Sequence, residues 1–379
     1  MSGAQGKKGR VLIVGAGISG LTAATALGRQ GWQVDVIERK SSIDDSGGVG
    51  LTLIGNAMRA LDVIGVAHKC VEAGVPADFL NIMRADGTLL MENPVPRIGG
   101  SEWPGGTGIR RAAFHAILLE AAGNVISSLR CGETATRWSE ERGQVLVTFS
   151  TGYSAAYDLM IAADGLNSST RAELMPDIKP NPSGQACWRV PVPRPPGIDR
   201  THLFFGGKHG AVGVCPISDD LAYMYIVQAY DGGRQDPTRL HEIFADEVEG
   251  YGGLIAELVK HVTDPTQVNF SPLPAMIVPK PWGKGRVVLI GDAAHANPPV
   301  LAQGAAMGIE DAIVLAEEIS ATPGDIPDAL NRFVERRYDR ARRVVEASWQ
   351  LARAEVEHRK DVDIHAIMRE TAMQLAAPM

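Results

Sequence analysis

Residues 10–39, RVLIVGAGISGLTAATALGRQGWQVDVIER, constrain this chain more than any other segment. They read as an apolar strand, a tight glycine turn, an amphipathic helix and a second strand that ends in an acid. That is the pattern of a βαβ unit built to hold a dinucleotide. Gly15 permits the sharp turn, Gly17 lets backbone approach a pyrophosphate, and Gly20 lets the helix pack close on the strand. Glu38 stands where a pair of ribose hydroxyls would lie. The helix N-terminus, worth roughly half a positive charge, points at the phosphates. A bare GxGxxG is weak support, but strand, helix and acid all fall where the fingerprint expects them. The clamp alone does not separate NAD from FAD, because both present ADP to it.

The rest of the chain narrows the class. A length of 379 residues allows two or three domains. Net charge is -7 with acids and bases mixed along the chain, which argues against a nucleic-acid surface and for small ligands. Apolar stretches are broken well before bilayer length and the N-terminal run has no signal-peptide core, so a soluble cytoplasmic protein away from membranes is expected. Cys70, Cys131, Cys187 and Cys215 lack CxxC spacing and point to neither disulfides nor a metal site. They are expected to be buried small hydrophobes.

Pattern along the chain alternates. A Ser/Asp/Gly loop, SSIDDSGGVG, leads to helical stretches at 56–70. Short strands at 80–84 and 88–91 flank a turn, and a Pro/Gly-rich link covers 93–108. A helix at 111–122 and strands at 145–149 and 158–162 follow. Residues 184–229 alternate in the manner of an antiparallel sheet. VVLIGD at 287–292 reads as a buried parallel strand, followed by a helix at 303–319 and a charged helical tail.

Two further motifs bear on which nucleotide binds. In RVVLIGDAAHANPPVLAQGAAMGIEDA a strand delivers Asp292 to its carboxyl end, and a proline loop turns into a helix near Gly304. The Asp292 carboxylate can accept hydrogen bonds from a polyol such as ribitol, which NAD lacks, or can cap a helix. The helix would aim free N–H groups at a flavin pyrimidine edge, where negative charge accumulates on reduction. DLMIAADGLNSSTR, residues 158–171, is in isolation an ordinary Asp-Gly turn before a capped helix.

Taken together, GAGISG with Glu38-Arg39, ADGLNSSTR and GDAAHANPPVLAQG resemble the single-component flavin-dependent aromatic hydroxylases, the family of p-hydroxybenzoate and salicylate hydroxylases. The likeness runs from Val11 to about Arg340, and the fillers GVGLTLIGNAMRALDVIG and IRRAAFHAIL share it. It implies an α/β fold in which a Rossmann-like FAD-binding domain (1–74, 107–180 and 277–320) is interleaved with an antiparallel-sheet substrate domain (75–106 and 181–276). A C-terminal helical segment, 321–379, completes it. The implied cofactors are bound FAD and a transient NADH or NADPH, for which no second GxGxxG exists. Gly15, Gly17, Ser19, Gly20 and Glu38 would hold ADP, with Arg39 beside the adenosine and the backbone of Ala135 at the adenine. Gly50, Arg111, Asp164 and Asp292 would support the flavin half, and Arg111 has a plain solvated reading as well. The loop carrying Gly304, Ala305 and Ala306 would line the flavin ring, and Pro298 and Pro299 would form a rigid wall beside it.

The activity so implied is hydroxylation of an electron-rich aromatic or N-heteroaromatic ring, with NAD(P)H and O2, through a flavin C4a-hydroperoxide. Some relatives that act on hydroxypyridines carry a histidine where this chain has Thr52, which is no base near neutral pH. His209, Tyr223 and Tyr225 are the candidate replacements, or else packing residues of their strands. Tyr225 is also a substrate-binding candidate. Arg189, in QACWRVPVP, suits a substrate carboxylate or phenolate, or a surface salt bridge. His295 is expected on a turn, bonded to backbone. Rival readings are a flavin-dependent reductase or a non-catalytic flavin-binding protein. A monomer or a homodimer fits equally.

Overall fold

A computed structural model of the protein describes residues 8–43 and 48–379, so part of the Ser/Asp/Gly loop and the extreme N-terminus lie outside the described residues. Val11, Leu12 and Ile13 are fully buried, as an apolar strand covered on both faces must be. Their strand, Arg10–Val14, lies inside a six-stranded sheet and pairs in parallel with Gln33–Glu38 on one side and Leu159–Ala162 on the other. Ser128–Cys131 extends one edge and Val287–Leu289 the other, both in parallel, and only Gly283–Lys284 runs antiparallel. Connections therefore leave Arg10–Val14 in both directions, which opens a crevice at its carboxyl end.

The helices in chain order are α1 (Ile18–Arg29), α2 (Gly55–Val63), α3 (Ala67–Ala73), α4 (Arg111–Gly123), α5 (Ser169–Leu174), α6 (Leu240–Glu247), α7 (Gly253–Leu258), α8 (Gly304–Ala321), α9 (Ile326–Val356) and α10 (Ile364–Ala376). α8 is apolar on nearly every face because α1, α2 and α9 all pack on it. The charged tail folds back on its own chain: Phe333, Ala341 and even Arg337 of α9 are buried.

An eight-stranded sheet forms the second layer. Its order is His295–Ala296, Asn269–Ile277, Asn181–Pro193, Leu221–Ala229, Val212–Pro216, His202–Phe205, Phe79–Arg84 and Leu89–Pro94. All pairs are antiparallel except His202–Phe205 with Phe79–Arg84. Trp188, Val190, Phe204 and Ile226 on one face pack on Phe244 and Ile255 of α6 and α7. A three-stranded sheet of Gly50–Ile54, Gly106–Arg110 and Val75–Ala77 joins the two layers, so the expected loop at 93–108 ends in a strand. Gly106, Thr107 and Gly108 there are small enough to be covered on both sides. Cys70, Cys187 and Cys215 are buried, but Cys131 ends an edge strand and is exposed.

Candidate active site

The glycine turn at residues 15–20 follows from steric necessity. Gly15 has φ +106°, and a Cβ there would strike the carbonyl oxygen of Ala163. A Cβ on Gly20 would collide with the carbonyl oxygen of Gly15, so only glycine lets α1 sit this close to the strand. At Gly17 nothing lies within 4 Å of the same position. The N-terminus of α1 therefore faces open space that any side chain would begin to fill.

Glu38 is fixed beside that space. Its Oε2 accepts from the backbone N–H of Ala16 at 3.0 Å and its Oε1 from Lys40 at 2.9 Å. His115 Nε2 donates to the Ala16 carbonyl at 2.8 Å, and with Arg111 it lines a small cavity of about 130 Å³ over the turn. His115 was not expected, yet it stands one helical turn after Arg111 on α4, a spacing that puts both on one face. The backbone N–H groups of Gly132 and Glu133 donate to the carbonyls of Lys40 and Glu38, which brings Ala135 to the same end of the crevice. Arg39 is exposed there. Ser19 lies against Gly291 and Gly308, tying α1 to the second and third glycine-bearing segments. Asp164 accepts from Thr170 N and Oγ1 through Oδ2, each at 3.1 Å, while its buried Oδ1 has no partner among the described residues.

Arg111 lines both this cavity and a larger one, and the Asp292 carboxylate lies close enough to pull on it. Water reaches both side chains through the cavities, yet protein surrounds them on nearly every side. The surrounding protein decides the direction of their pKa values. Burial pushes the Asp292 carboxyl up against the pull of His295 and Arg111, and it pushes Arg111 down against the pull of Asp292. The larger cavity holds about 670 Å³ and lies between the eight-stranded sheet and the proline loop. Gly50, Arg189, Tyr223, Tyr225, Pro299 and the Gly304-Ala305 helix start all line it. Arg189 makes no hydrogen bond or ion pair with any described residue.

Several expectations are corrected by this geometry. His209 lies in the loop after His202–Phe205, outside the cavity wall, because its Nε2 is held by Glu247 Oε2 at 2.6 Å. Tyr223 and Tyr225 line the cavity, but burial pushes both hydroxyls far above neutral pH, so they stay protonated and do not act as bases. Pro298 is buried behind the loop and only Pro299 reaches the wall. Ala306 turns its methyl group into the main core, one step round the helix from the lining Ala305. His295 is bonded to the Asp311 carboxylate at 2.6 Å, in place of backbone. Asn269, Asn297 and Glu355 line the cavity from three different elements, a convergence that spacing in the chain does not reveal. Burial raises the Glu355 pKa against its hydrogen bond from Gln185.

The fit to FAD rests on open space before α1, a ribose-side acid already oriented by backbone N–H groups, the orphaned Asp164 oxygen and the Arg111–Asp292 pair at the cavity junction. Comparison with known proteins agrees. A family model described as FAD binding domain, FAD_binding_3, matches residues 8–348. A putative FAD-dependent monooxygenase, YetM of Bacillus subtilis, is 31% identical over 348 residues, covering 90% of this chain and 93% of that protein. The 2-heptyl-3-hydroxy-4(1H)-quinolone synthase of Pseudomonas aeruginosa is 34% identical over 352 residues, with 90% and 88% covered. The crystal structure of Klebsiella pneumoniae HpxO with FAD and uric acid superposes with a TM-score of 0.82 at 25% identity, over 97% of this chain and 92% of that one. Fold and site thus define an FAD-dependent aromatic monooxygenase. The chain belongs to the FAD_binding_3 family of these flavoenzymes. Among the described residues no helix is long and apolar enough to cross a membrane.

Proposed function

We propose that the substrate is a planar, electron-rich aromatic or N-heteroaromatic compound carrying one acidic group, held in the larger cavity by Arg189. The observation that carries this reading is a guanidinium on the cavity wall with no hydrogen-bond or ion-pair partner among the described residues, which a carboxylate or phenolate would match in charge and in fork geometry. The flavin supplies hydride acceptance and oxygen activation, and the protein supplies placement. Gly15, Gly17, Gly20 and Glu38 hold the ADP portion, Asp292 the ribityl chain, and Arg111 with the Gly304-Ala305 N–H groups the pyrimidine edge. Pro299 sets the distance between the ring and the reacting face, and a closed wall keeps water away.

Glu355 is the proton acceptor in this reading. Among the described residues it is the one carboxylate lining the cavity, and its raised pKa brings it nearer to the pH at which a base works best. NADH or NADPH approaches transiently from the open side. The Pseudomonas quinolone synthase and the HpxO complex with uric acid point toward nitrogen heterocycles as the first compounds to try. Purified protein is expected to be yellow, and to oxidise NADH or NADPH faster with 4-quinolones, 6-hydroxynicotinate or urate. Mass spectrometry with labelled O2 should find one labelled oxygen in the product. NAD(P)H oxidation that yields only peroxide across the whole panel would overturn the reading.

A further inference from the structure

The larger cavity shares part of its wall with a neighbour. Thr52, Leu203, Tyr225, Pro299, Val300 and Ala302 line it on one side and a second chamber of about 330 Å³ on the other. Leu80, Val95, Ile98, Met368, Ala372 and Leu375 give that chamber an apolar wall. Several of the polar side chains that reach it are already partnered. Gln303 bonds to Asn56, Thr371 to the carbonyl of Ile367, and Arg200 to Asp199 and Glu92.

One wall is α10. Met368, Thr371, Ala372 and Leu375 recur at helical spacing along its inner face. Its last carbonyls are clamped by two arginines: Arg59 donates to Ala376 and Ala377 at 2.9 and 2.8 Å, and Arg340 to Leu375 at 2.9 Å. Cations at a helix C-terminus are favourable, so the wall is fixed in place and not loosely draped. Folded interiors seldom keep dry voids of this size, because each lining atom forgoes contacts. An apolar chamber that shares a wall with the substrate cavity suits an apolar occupant.

We propose that the substrate has two parts, an aromatic ring in the larger cavity and an unbranched alkyl chain in the second chamber against α10. This rests on the ring-hydroxylation reading above and adds the tail. The test measures binding of 2-alkyl-4(1H)-quinolones from methyl to heptyl to the flavin-loaded enzyme, by the change in flavin absorbance. Each added methylene should lower Kd by up to about fourfold, so that the heptyl member binds at least ~100-fold more tightly than the methyl member. Ala372→Trp, which fills the chamber, and Met368→Glu, which puts a charge at its rim, should each flatten that dependence. A Kd independent of chain length in the unaltered enzyme overturns the proposal. So does binding of no member of the series, or the same dependence in both variants. Labelled-oxygen transfer to the methyl compound reports on the ring reading separately, whatever the tail does.

Discussion

Two clusters of arginine and carboxylate lie close together in this protein, and their charges behave in opposite ways. In the first, between α8 and α9, Arg337 bonds to Glu310 at 2.7 Å and to Asp311 at 2.8 Å. Arg340 and Asn56 complete Glu310, and His295 and the Gly291 N–H complete Asp311. Burial opposes every charge there, yet the pairing wins: Asp311 falls to about 2, Glu310 is lowered and Arg337 is raised. In the second, at the cavity junction, burial wins, raising Asp292 and lowering Arg111. The same residue types make a scaffold where pairing outweighs burial and a second site where burial outweighs pairing. The first cluster also holds the Asp292 loop in place through Gly291 and His295.

The sharpest way to break this contrast is Arg337→Met, which strips the buried Asp311 of its arginine and leaves the buried Glu310 with Arg340 alone. A loss of about 3–5 kcal/mol in urea unfolding is expected, with release of flavin. A loss near zero would mean that the cluster is not structural. Asp292→Ala should do the reverse. Its raised pKa means that the fold disfavours its charge, so the apoprotein should melt no lower, while flavin Kd rises about 10- to 100-fold, the scale of a lost charged hydrogen bond. Equilibrium dialysis against FAD beside calorimetry of the apoprotein separates the two effects.

Acid probes the scaffold alone. The Asp311 pKa lies below its unfolded value near ~3.9, so its contribution is complete above about pH 4 and is lost as pH falls toward 2. About 2 kcal/mol should disappear over that window, and Asp311→Asn should remove this part of the acid dependence of the unfolding midpoint. The smallest effect belongs to Arg189→Ala, expected to raise KM for an acidic aromatic substrate about tenfold with flavin content unchanged. An unchanged KM would take Arg189 out of the substrate site.

How far each region could be read in advance follows the same division. The clamp was legible because its elements are neighbours in sequence: the strand, Gly15, Gly20 and Glu38 all lie within one βαβ unit. The turns that carry Asp164 and Asp292 were legible because each follows a buried strand within three residues. Arg337 was not, since its helix looks like a solvated charged tail until α8 is laid against it. Pro298 and Pro299, or Ala305 and Ala306, differ only in which way a turn or helix points them. His209 and Glu355 exchanged places as proton-handling candidates because one met Glu247 and the other reached the cavity from the end of α9.

What the chain determined by itself was the nucleotide clamp and the flavoenzyme class, because glycine sterics, helix dipoles and strand periodicity act over a few residues. What only the tertiary structure decided was which arginine is locked into a buried ion cluster and which lines a cavity, and that a second, apolar chamber lies behind the proline loop. Both depend on side chains from separate segments of the chain meeting in one place. Burial and pairing exist only once those segments have packed.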